Sequence, residues 1–180
     1  MFFSSLTCVP LCTVALLLVA SAQSRHCTDS CCSFVENFPA RLKQLRVSFD
    51  EIKQYYQEND ELEMALLDEN ILQEFKSPFG CQAMNEVLRF YLDIVLPTAT
   101  QKVRQDYSKP IDIIGNIFLD LKKQVIQCRN FFSCKKHLSL DSIMTTYKKM
   151  QNKGLYKAMG ELDVLFNYIE EYMVSKRKRH

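Results

Sequence analysis

Six apolar residues, Phe38, Leu42, Leu45, Phe49, Ile52 and Tyr56, recur at intervals of 4, 3, 4, 3 and 4. That spacing places them on one face of a helix of 3.6 residues per turn and cannot be laid along a strand of period two. Pro39 near the start is tolerated in a first helical turn. The pattern returns along the chain. Leu62, Leu66, Leu67, Ile71, Leu72 and Phe75 predict a second helix over Asp60–Phe75, with Asp60 as its cap, Glu63 completing a capping box, and Ser77 and Pro78 as breakers. Met84, Val87, Leu88, Tyr91, Leu92 and Val95 predict a third from about Phe79 to Leu96, ended by Pro97. Thr98 to Lys109 is polar and reads as the longest loop.

Pro110 opens a fourth helix, with Ile114, Ile117, Phe118, Leu121, Val125 and Cys128 in register. Asn130–Lys136 reads as a short turn. A fifth helix is expected over about Leu138–Gln151, using Ile143, Met144, Tyr147 and Met150, with Asn152, Lys153 and Gly154 as its C-cap. The sixth runs from Leu155 to about Val174 through Met159, Leu162, Leu165, Phe166, Ile169 and Met173. No strand-length segment alternates with period two, and no internal repeat or low-complexity segment is found. Gly and Pro number only 4 and 5 in 180 residues, which favours long elements over many short strands. The expected fold class is an all-α helical bundle in one domain.

The amino-terminal stretch carries no charge before Arg25. Its apolar run VALLLVA (Val14–Ala20) leads into Ala20, Ser21 and Ala22, the small-x-small pattern of a secretory signal peptide over residues 1–22. The run is shorter than the roughly 20 residues of a membrane span. The domain is then residues 23–180, secreted and extracellular. Of the 8 Cys, Cys8 and Cys12 leave with the leader; Cys27, Cys31, Cys32, Cys81, Cys128 and Cys134 remain. Six cysteines in an oxidising compartment imply disulfides in any of 15 connectivities. Zinc is the rival for Cys27, Cys31 and Cys32 beside His26, but no later CxxC or HxxxH completes a four-ligand site.

Lys and Arg total 23 against 21 Asp and Glu, a net charge of +2, which does not suit a dedicated nucleic-acid binder. Catalytic patterns are missing: no HExxH, GxSxG, P-loop or GxGxxG, and only 3 His. Acidic runs such as Glu58/Asp60/Glu61 and Glu170/Glu171 fit solvated helix faces. No enzyme, metal or cofactor is expected. Two uses suit a secreted amphipathic bundle: presenting helix faces to a receptor, or binding lipid or membrane.

Four segments go further. GCQAMNEVLRFYLD (Gly80–Asp93), LYKAMGELDVLFNYIEEYM (Leu155–Met173), LRVSF (Leu45–Phe49) and IKQYYQ (Ile52–Gln57), with the Cys128/Cys134 pair, resemble the interleukin-10 family of helical cytokines. The resemblance runs from Cys31 to Met173; the fourth helix and the loop before it match least, and Cys27 and Cys32 are additional to the family's four cysteines. It implies a six-helix bundle in an intertwined, domain-swapped homodimer, each lobe taking four helices from one chain and two from the other. The short stretch between Cys134 and the fifth helix is compatible with such an exchange. It implies two interleukin-10 receptor chains as partners, a high-affinity chain and a shared second chain, and Janus kinase/STAT signalling that restrains inflammation. It implies disulfides Cys31–Cys128 and Cys81–Cys134, leaving Cys27 with Cys32.

Receptor-contact positions carried over by resemblance are Lys43, Arg46, Lys53 and Gln57 on the first helix and Lys157, Glu161, Asp163 and Glu170 on the last. Lys43 stands where the family has Arg, and an ammonium lacks the guanidinium's two-pronged fork. At about 100° per residue the first four fall within about 80° of one another, beside the apolar face. The tail Lys176–His180 is expected to be a disordered basic end over 175–180, either simply solvated or able to attract sulfated glycans.

Overall fold

The computed structural model describes residue 27 and residues 29–102, 105–135 and 141–178. The expected leader, residues 1–22, and the residues 136–140 that precede the fifth predicted helix lie outside the described residues. The fold is all-α: among the described residues there is no strand. Also among them, no helix is long and apolar enough to cross a membrane.

Helix α1 runs Ser30–Asp50, starting eight residues before Phe38, because the Asp29 carboxylate caps it by accepting from the Cys32 N–H at 3.4 Å. Pro39 therefore lies inside the helix, not in its first turn. A proline here leaves the Val35 carbonyl without its helical donor. Arg177 supplies one, donating to that oxygen at 3.0 Å. The helix expected through Tyr56 is broken at Glu51–Ile52, where the Ile52 N–H turns back to the Phe49 carbonyl at 2.9 Å; helix α2 then covers Lys53–Glu58. Phe38, Leu42, Leu45, Phe49, Ile52 and Tyr56 are all buried regardless.

The expected second helix is half there. Residues 60–68 are not helical, and helix α3 spans Glu69–Lys76, capped by Asp68, whose carboxylate accepts from the Ile71 N–H at 3.1 Å. Asp60 is not a cap, because the N–H groups of Leu66 and Leu67 bond to a side chain far along the chain instead of to a helix. Helix α4, Gly80–Phe90, passes into a π-helical turn over Tyr91–Val95 and continues as α5, Leu96–Lys102. Pro97 thus does not end the helix. The widened turn, with the Leu96 N–H bonded five residues back to the Tyr91 carbonyl, carries the helix past the ring that a tight turn would force against a carbonyl. Thr98–Lys109 is correspondingly not a long loop. It holds the end of α5, a 3-10 turn at Gln105–Tyr107 and the start of α6, Ser108–Gln127.

Helix α7 is Asp141–Lys149. The left-handed residue after it is Gln151, with φ of 51°, not Gly154, whose φ of −58° already belongs to the next helix. Gly154 is small because a Cβ there would meet the Tyr147 ring at 3.0 Å. The last predicted helix divides at Glu161 into α8, Gly154–Gly160, and α9, Leu162–Arg177. Residues 175–177 are therefore helical rather than a loose tail; Lys178 is an exposed turn, and residues 179–180 lie outside the described set.

Helix α1 packs between α9 and α6, α2 lies on α8, and α3 is held by α4 and α9. Phe166 of α9 occupies the middle, 5.9 Å from Phe49 and 6.1 Å from Phe118, and Tyr91 continues the aromatic chain 5.9 Å from Phe118. The buried Tyr91 hydroxyl donates to the Ala158 carbonyl at 2.7 Å. Three disulfides close the framework: Cys31–Cys128 joins the start of α1 to the end of α6, Cys81–Cys134 joins α4 to the turn after α6, and Cys27–Cys32 closes a small ring at the amino end. These are the pairs the resemblance implied. Helix α8 packs on α2, α9 on α1 and α3, and α7 lies against α8.

Candidate functional site

Helices α1 and α2 present polar residues along one side of their buried stripe, and α9 presents Asp163, Asn167 and Glu170 at intervals of 4 and 3. Where the helices meet, these residues form a seam. The Arg46 guanidinium donates to Glu170 Oε2 at 2.8 Å and to Asn167 Oδ1 at 2.9 Å, with side chains 39% and 48% exposed for Arg46 and Glu170. Lys53 Nζ lies 3.3 Å from Asp163 Oδ2 and 5.8 Å from the centre of the Phe49 ring. Gln57 donates from Nε2 to the Gly160 carbonyl at 3.1 Å. Lys43 is exposed one turn before Arg46 and makes no ion pair among the described residues.

The two remaining predicted residues sit deeper. The Lys157 side chain is 8% exposed, with Nζ 2.7 Å from Asp60 Oδ2 and 3.7 Å from Glu161 Oε1. The Glu161 carboxylate accepts from the Leu66 N–H at 3.1 Å and the Leu67 N–H at 2.8 Å. Burial raises the Glu161 carboxyl above the usual glutamate value, outweighing the hydrogen bonds and the Lys157 charge that pull it down. The structure so gathers seven of the eight expected residues into one feature, open between α1 and α9 and buried where Lys157 and Glu161 meet the segment before α3, with Lys43 at its edge.

Asn167 is an addition to the expected residues, and the signal for it is its place on the α9 face with Asp163 and Glu170. Asp60 as the partner of Lys157, and Tyr168 as a donor to the Leu67 carbonyl at 3.1 Å, were not legible, because each partner is about a hundred residues away. The basic tail divides as well. Lys176 is buried, donating to the Phe132 carbonyl at 3.2 Å with its ammonium 4.8 Å from the Tyr172 ring centre. Lys176 and Arg177 are thus structural. Cys27, Cys32 and Glu36 lie close enough to hold a metal, but the two sulfurs are bonded to each other.

Comparison with known proteins supplies what geometry alone does not. The profile of the family described as Interleukin 10 matches residues 6–175. Interleukin-10 of Gallus gallus is 45% identical over 167 residues, covering 91% of this chain and 95% of the relative. Interleukin-10 of Felis catus is 37% identical over 157 residues, covering 87% of this chain and 88% of its own. A viral interleukin-10 homolog of Equine herpesvirus 2 is 34% identical over 172 residues, covering 93% and 96%. An all-α, disulfide-framed bundle that matches this family over most of its length is a cytokine, and the chain belongs to the interleukin-10 family.

Proposed function

We propose that the α1–α2/α9 seam binds the high-affinity interleukin-10 receptor chain, and that a shared second chain then joins to start Janus kinase/STAT signalling. The observation that carries this reading is the Arg46 guanidinium, one nitrogen of which is shared between Glu170 and Asn167 while the side chain is still 39% exposed, so that a partner can compete for it. Guanidinium groups held in place and open to a partner are common energetic centres of interfaces. Burial of the helices' apolar stripes in one core favours a receptor ligand over a lipid carrier.

The same reading has the chain secreted after loss of residues 1–22. It also has the chain assembled as a homodimer in which α7–α9 exchange between copies, remaking the seam with Arg46 from one chain and Glu170 from the other. Sulfated glycans remain candidate partners through Lys178 and the residues after it. Stimulating receptor-bearing leukocytes with refolded protein, with and without a receptor-blocking antibody, tests the signalling: antibody-sensitive STAT phosphorylation is expected, and its absence removes the reading. Light scattering tests the dimer, since only the monomer mass would exclude exchange.

A further inference from the structure

The three disulfides all lie where α1 starts and α6 ends. At the opposite end α1 gives way to α2 and the 3-10 turn Gln105–Tyr107 leads into α6, and no disulfide joins the described residues there. Phenols gather in that place. The ring of Tyr55 on α2 is centred 5.3 Å from that of Tyr107 in the turn and 6.1 Å from that of Tyr156 on α8. Tyr56 is 5.1 Å away but belongs to the core. Of the 8 Tyr in the chain, Tyr55, Tyr107, Tyr147 and Tyr156 are half-buried and the rest buried, so this cluster holds most of the phenols that solvent can reach. Little competes with them for a one-electron oxidant. The chain has no Trp, and all six described cysteines are bridged. Methionine instead takes up an oxygen atom to become the sulfoxide. Among the neighbours of Tyr55, Tyr107 is the best placed to couple. The Tyr56 hydroxyl has no hydrogen-bond partner among the described residues, so a proton leaving it has no acceptor, and burial holds that phenol well above the ordinary tyrosine range. Tyr156 is farther off and meets Tyr55 edge to face at 61°, whereas Tyr107 is tilted by only 45°, nearer the side-by-side approach that lets two ring carbons join.

We propose that Tyr55 and Tyr107 form an oxidative modification site, at which a haem peroxidase using hydrogen peroxide joins the two rings as dityrosine. Each phenol loses one electron and one proton to give a phenoxyl radical. The two radicals couple through the ring carbons beside their oxygens, and the hydrogen on each of those carbons moves to the oxygen, restoring both phenols. The two electrons and two protons released reduce one hydrogen peroxide to two waters. The new carbon–carbon bond closes a loop of about fifty residues and fastens the end of the bundle that the disulfides leave untied. Both tyrosines lie within α1–α6, so the bond falls inside one chain whether or not α7–α9 exchange between copies.

The test treats the refolded chain with a haem peroxidase and hydrogen peroxide, and follows dityrosine by its fluorescence, by denaturing gel under reducing conditions and by peptide mapping. The parent should give dityrosine in a species of monomer size, with the peptides of Tyr55 and Tyr107 joined. Tyr55→Phe and Tyr107→Phe should each lose nearly all of the signal, while Tyr56→Phe and Tyr156→Phe keep most of it. Phenylalanine preserves the ring packing, and a melting curve of each variant before oxidation checks that it folds; should either fail to fold, the joined peptides of the parent decide. A bond mapped to any other pair, cross-linking between molecules alone, or full signal in a folded Tyr55→Phe or Tyr107→Phe overturns the proposal. The coupled chain should also melt about 5 °C or more above the untreated one, and an unchanged melting curve would overturn the fastening role.

Discussion

Arg46 shows how one side chain can matter for binding and little for folding. Its ion pair with Glu170 is about half exposed, where such pairs contribute roughly 0–1 kcal/mol. Arg46→Glu should therefore leave the melting temperature nearly unchanged while weakening receptor binding by about 2 kcal/mol or more. Calorimetry and receptor titration on the same sample check both halves. Glu161 is the opposite case. Its raised folded pKa means that the folded state holds a proton more tightly than the unfolded chain. Between the ordinary glutamate value and the raised one, stability contributed by this group is present at the acid end and is lost as pH rises. Glu161→Gln should flatten that part of the stability profile, as read from melting curves between about pH 4 and pH 7.

At the scale of elements, helical period identified the buried residues better than it identified helix ends. Phe38 to Tyr56 kept their buried face across a break, because a tight turn at Ile52 hardly alters which side faces inward. Leu62, Leu66 and Leu67 misled for a physical reason: helix-like spacing is equally available to a loop whose N–H groups find the Glu161 carboxylate. Pro97 misled too, because a π turn absorbs a proline and leaves no mark in the apolar pattern. The roles of Asp60 and Asp68 can be separated by substitution. Asp68→Ala removes a cap and should cost about 1 kcal/mol. Asp60→Ala leaves Lys157 with Glu161 alone and should cost more, roughly 3–5 kcal/mol, as for broken buried pairs. Urea denaturation of the two variants should rank them in that order.

For the whole molecule, the three disulfides constrain very different lengths of chain. Cys31–Cys128 spans 97 residues, Cys81–Cys134 spans 53 and Cys27–Cys32 spans 5. In the chain-entropy account their removal should cost about 5, 4 and 2 kcal/mol. Pairwise Cys→Ser variants should lose melting temperature in that sequence, the last still folding and binding receptor. Architecture and most of the seam were legible because local spacing and family resemblance both act on side chains that share a helix. The partners that bury Lys157 and Glu161 were not, because Lys157–Asp60 and Glu161–Leu67 are agreements between distant parts of the chain. The Arg177 bond to Val35 is another such agreement, bridging the gap that Pro39 leaves in α1. It gives the protein a threshold length. Trimming back to Arg177 touches neither that bond nor the one from Lys176 to Phe132, whereas losing two residues more strips the donors from the first helix and from the disulfide turn together.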